Sequence, residues 1–101
     1  MEVYKFGGAS VKDADGIKNL GFILQKNLDK QLLVVISAMG KTTNALEKLT
    51  KSYFDRNDDV FDILNEIKAY HFGIINQLFE DKNAKVFDEI NNTFVEIEWV
   101  I

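Results

Sequence analysis

The sequence predicts an α/β fold, with two parallel strands in a βαβα arrangement followed by a helical hairpin. Three observations carry this prediction. Two short apolar segments, residues 3–6 and 32–36, each run into a loop of small residues. Between them, apolar residues recur at steps of three and four; that is the spacing of one helix face. Beyond residue 59 the same helical spacing continues, with one polar interruption, to the end of the chain.

The first strand, Val3 to Phe6, is closed by Gly7-Gly8. The following helix carries Ala14, Ile17, Leu20, Ile23, Leu24 and Leu28 on one stripe. Asp13 or Asp15 lies near its start, where a carboxylate favours the positive end of the helix dipole. The second strand, Leu32-Leu33-Val34-Val35-Ile36, is continuously apolar and rich in β-branched residues. That composition predicts a strand buried on both faces, as in a parallel sheet. The loop Ser37-Ala38-Met39-Gly40-Lys41-Thr42-Thr43-Asn44 leads into a helix bearing Ala45, Leu46, Leu49 and Tyr53. After the polar break at residues 55–59, one stripe runs from Val60 through Ile67 and Ile74 to Leu78. A second runs from Phe87 through Phe94 to Ile101.

Composition excludes several classes. The chain has 101 residues, 47% apolar and 28% charged, which fits one small globular domain;. It has no cysteine, hence no disulfide framework and no thiolate metal site;. Net charge is −4, the wrong sign for non-specific nucleic-acid binding;. No apolar run approaches a membrane span or the core of a signal peptide;. Two strands make a poor stopping point for a parallel sheet, and the last helix stays apolar through Trp99-Val100-Ile101. Residues 1–101 are therefore expected to be a truncated, N-terminal segment of a larger α/β domain.

The candidate chemistry lies in the two loops. Gly40-Lys41-Thr42 has the ending of a phosphate-binding P-loop, but that motif needs glycine at position 35, where Val35 stands;. What remains is a small-residue loop between a strand and a helix N-terminus, where free N–H groups and the helix dipole favour an anion. The loop after the first strand has the same form. Parallel strands bring two such loops to one sheet edge, and open α/β folds bind ligands at the carboxyl ends of their strands. Each loop also reads as an ordinary capped connection. Lys5 has two readings of its own: an ammonium reaching an anion over the loop, or a head group in solvent. His71, the one histidine, reads as a core or boundary residue of its helix. Asp13-Ala14-Asp15-Gly16 is too short for a calcium loop. The residues imply no metal site.

Those same loops resemble a known family. Lys5-Phe6-Gly7-Gly8-Ala9-Ser10-Val11 resembles the Lys-Phe-Gly-Gly-Thr-Ser-Val stretch that opens aspartokinases. Val34-Val35-Ile36-Ser37-Ala38-Met39-Gly40, followed by Thr43-Asn44, resembles that family's second loop at the matching distance. The resemblance is sharp over residues 2–50; Ala9 departs from it, where threonine is usual.

The resemblance implies a partial amino-acid-kinase fold and ATP-dependent phosphorylation of the side-chain carboxylate of L-aspartate, giving 4-phospho-L-aspartate, the entry to lysine, threonine and methionine synthesis. It implies that Lys5 is catalytic and that Lys5, Gly7, Gly8 and Ser10 face the phosphate. It places Ser37 and Thr43 near aspartate. ATP with Mg2+ follows by the same analogy; the uncovered sheet edge and apolar helix faces predict self-association into a homo-oligomer, and a cytoplasmic location is expected. The nucleotide-binding half and regulatory domains of the family have no counterpart here, so the isolated chain is expected to be inactive. Two alternatives stand beside this reading: the start of a bifunctional aspartokinase–homoserine dehydrogenase, and a non-catalytic binding or interaction module.

Overall fold

A computed structural model describes residues 1–101. The chain divides into two units, Met1–Thr43 and Asn44–Ile101. The first unit contains strand β1 (Glu2–Phe6), a 3-10 turn (Gly8–Val11), helix α1 (Ala14–Gln25) and strand β2 (Leu32–Ile36). β1 and β2 pair in parallel, with Val3 opposite Leu33 and Lys5 opposite Val35.

Helix α1 starts where a side chain can replace a missing backbone partner. Asp13 stands at its N-cap with extended backbone, and Asp13 Oδ1 accepts from the Gly16 N–H at 2.8 Å. This satisfies one of the four N–H groups that a helix start leaves free. Its inward stripe buries Ala14 and Leu20, and Val11 of the preceding turn is buried with them. The helix ends at Gln25, short of Leu28, which lies exposed in the turn beyond.

The sheet departs from the expectation of burial on both faces. Tyr4, Phe6, Leu32 and Val34 are half-buried, whereas Val3 (59% exposed), Leu33 (49%) and Val35 (44%) are open. Side chains alternate across a strand, so the apolar run of β2 divides between a half-covered face and an open one.

The second unit holds the body of helix α2 (Thr42–Phe54), with α3 (Val60–Leu78) and α4 (Lys85–Val100). Leu49, Ile63, Leu64, Ile67 and Phe94 form its buried cluster. Cross-helix contacts fix the direction of the hairpin. Lys68 pairs with Glu98, Phe72 meets Phe94, and Phe79 meets Phe87. The numbers rise along α3 as they fall along α4, so the two helices are antiparallel, as their stripes predict. Lys82 closes the C-terminal end of α3 by donating from Nζ to the Asn76 and Phe79 carbonyls, at 3.2 and 3.3 Å. A cation there matches the helix dipole. His71 is half-buried within this unit, its Nδ1 donating to the Ile67 carbonyl at 2.8 Å and its ring against Phe94. That geometry supports its reading as a structural residue.

Candidate anion-binding loops

The site is built where β1 and β2 end, within the first unit. Parallel pairing carries both strands to the same edge, and the ladder runs one step past them: the Ser37 N–H donates to the Phe6 carbonyl at 2.9 Å. The loops then touch directly. The Gly40 N–H donates to the Gly8 carbonyl at 3.0 Å. A Cβ on Gly8 would stand 2.7 Å from the Gly40 oxygen and 3.1 Å from the Ala38 oxygen. Both neighbours are backbone and have little room to yield, so the approach requires glycine at position 8.

Each loop has its own local order. In the first, the Ser10 N–H donates to the Gly7 carbonyl, which forms the 3-10 turn. Gly7 is extended and exposed, with open space where a Cβ would be. An anion can therefore approach its backbone closely. In the second, Thr42 caps the turn before α2: its Oγ1 donates to the Met39 carbonyl at 2.6 Å, and its N–H donates to the same oxygen at 3.0 Å. Thr42 is buried by this arrangement, whereas Ser37 and Thr43 are exposed.

Lys5 is exposed. It sits on the open sheet face across from Val35 and does not enter the ion pairs Lys30–Glu2, Lys68–Glu98 or Lys85–Glu89. Its charge needs no internal partner there, because water solvates it. The structure thus joins the loops that carry Gly7, Gly8, Ser10 and Ser37, and sets Lys5 on the strand leading into the first of them. Gly40, which the sequence offers as a failed P-loop glycine and as the end of the second resembling stretch but with no role of its own, proves to be the contact between the loops. Its signal was a lone glycine four residues after a strand, a pattern too common to single out.

No group of three His, Asp or Glu side chains converges in the chain. No helix is long and apolar enough to cross a membrane.

Residues 1–91 match the amino acid kinase family. Among curated proteins, the chain is 30% identical over 95 residues to the chloroplastic bifunctional aspartokinase/homoserine dehydrogenase 1 of Arabidopsis thaliana, covering 89% of this chain and 10% of that protein. It is 43% identical over 56 residues to aspartokinase 2 of Bacillus subtilis (strain 168), 54% of this chain and 14% of that protein. It is 46% identical over 46 residues to the chloroplastic aspartokinase 2 of Arabidopsis thaliana, 46% of this chain and 8% of that protein. The chain spans about a tenth of the length of the curated relatives it matches.

Proposed function

Because the chain belongs to the amino acid kinase family, we propose that it supplies the N-terminal, substrate-side loops of an aspartokinase. The reaction is transfer of the ATP γ-phosphoryl group to the side-chain carboxylate of L-aspartate. A new P–O bond forms to a carboxylate oxygen as the bond to the β-phosphate bridging oxygen breaks, giving 4-phospho-L-aspartate and ADP. The observation that carries this reading is the hydrogen bond from Gly40 to Gly8, which sets the two signature loops side by side at the strand ends.

The placement of these residues supports a role for each. Phosphoryl transfer depends on positioning and on neutralising charge that spreads over the phosphoryl oxygens. Lys5, solvated and without an ion-pair partner, has a charge available for that purpose. Gly7 and Gly8 present backbone N–H groups, and Ser10 adds a hydroxyl. Ser37, exposed on the second loop, and Thr43, exposed in the first turn of α2, contact aspartate. Mg2+ would arrive with the ATP phosphates. Relatives with and without a dehydrogenase in their names match the chain; the proposal concerns the kinase part common to both. The location is cytoplasmic in this reading.

The 101-residue chain, incubated with ATP, Mg2+ and aspartate and assayed for acyl phosphate, is expected to show no turnover. Aspartate and inorganic phosphate are each expected to perturb the amide resonances of the two loops. Sustained turnover would overturn the substrate-side assignment, and silence of both loops to both ligands would overturn the kinase reading in favour of an interaction module.

A further inference from the structure

We propose that Gly40 is a positioning residue that joins the first loop (residues 7–10) and the second (residues 37–41) into one rigid frame. What the frame holds rests on the phosphate-facing reading above; the join itself rests on backbone geometry alone.

Three observations converge on residue 40. Its φ is 56°, in the left-handed region, and it is the one glycine of the chain with positive φ. L side chains pay to adopt that conformation, β-branched ones most of all. In that conformation its N–H donates to the Gly8 carbonyl at 3.0 Å. Its own carbonyl oxygen occupies the space that a Cβ on Gly8 would need, at 2.7 Å. The contact is thus backbone against backbone in both directions. With the Ser37-to-Phe6 hydrogen bond at the root of the loops, they are tied at two points.

A frame tied this way keeps its donors aimed before a ligand arrives. Preorganised dipoles stabilise developing charge without reorganising at the moment of reaction. Displacing residue 40 would therefore loosen the first loop, where the anion sits, although Gly40 need not touch the anion itself.

The test uses the 101-residue chain with Gly40→Val, Gly40→Asn and, as a control, Gly21→Ala on the exposed side of α1, where a Cβ meets nothing within 4 Å. Asparagine tolerates the left-handed region and valine does not. Amide hydrogen exchange is read at position 40, and inorganic phosphate is titrated against the amide resonances of residues 7–10. The position-40 amide is expected to be protected in the parent chain. In the Gly40→Val variant it is expected to exchange about tenfold faster, with phosphate affinity reduced by about the same factor. The Gly40→Asn variant is expected to restore both, and Gly21→Ala to change neither. If the Gly40→Val chain does not fold, Gly40→Ala replaces it, with the same left-handed requirement and the smallest side chain. An unprotected position-40 amide in the parent, or unchanged exchange and phosphate affinity in the valine or alanine variant, overturns the positioning role. A protected amide with no response of the parent to phosphate instead overturns the phosphate reading and leaves the join intact.

Discussion

Lys5 stands directly across the parallel ladder from Val35, on a sheet face where Val3 and Leu33 are also open to solvent. A cation in that position contributes little to folding, since its head group is hydrated in the folded and unfolded chain alike. Lys5→Ala is therefore expected to shift unfolding free energy by no more than about 0.5 kcal/mol. Its effect on an anion should be far larger. Loss of one charge-assisted contact costs about 1.5–3 kcal/mol, so phosphate affinity should fall at least about tenfold. Urea melts and a phosphate titration of the same variant separate the two quantities. A large stability loss with unchanged affinity would return Lys5 to a structural role.

The second unit carries a polar contact of the opposite kind. Ser52 is 3% exposed and donates its hydroxyl hydrogen to Asp59 Oδ1 at 2.6 Å. The acceptor sits at the N-cap of α3 but makes no side-chain bond to that helix. The carboxylate thus ties the end of α2 to the start of α3 across the turn between them. Ser52→Ala removes a buried donor to a charged acceptor and is expected to cost about 1.5–3 kcal/mol. Asp59→Asn keeps an acceptor oxygen and should cost less. Equal losses in denaturant melts would mean that the charge, and not the hydrogen bond, matters.

Legibility of the sequence followed the range of the interaction. The start of α1 was legible because its determinant is local: Asp13 reaches a backbone N–H only three residues away. The hairpin was legible because Ile63, Ile67, Ile74 and Phe94 repeat at helical spacing, and burial follows that repeat. The sheet was misread in one respect. Leu33 and Val35 are as apolar as Leu32 and Val34, so composition cannot say which face is covered; that depends on what lies over each face. Gly40 was overlooked because its role depends on Gly8, which is 32 residues away in sequence and meets it only once the strands have paired.

The α1 cap gives a clean local test. Asp13→Ala leaves the Gly16 N–H without its acceptor and is expected to destabilise the chain by about 1 kcal/mol;. Asp13→Ser or Asp13→Asn should recover most of that loss, because either side chain can accept the same bond. The first loop lies just before this helix, so thermal melts should be paired with exchange measurements at residues 8–11. Faster exchange there would show that the cap also steadies the loop.

The open sheet face sets an expectation for association. Val3, Leu33 and Val35 expose apolar surface together, and the two-stranded sheet has unpaired backbone along both outer edges. Either feature favours self-association at high concentration. Light scattering of the 101-residue chain is expected to show mass growing with concentration, and a clean monomer throughout would end the idea. Substitution separates the two routes. Leu33→Lys places a charge on the face but leaves every edge N–H and carbonyl in place. If the face drives association, this variant should be monomeric at concentrations where the parent associates. If the edges drive it, the variant should associate like the parent. Salt adds a second criterion. Copies stacked through this face would bring their Lys5 charges towards one another, so screening should strengthen face-driven association. Edge pairing, made by neutral backbone groups, should respond far less.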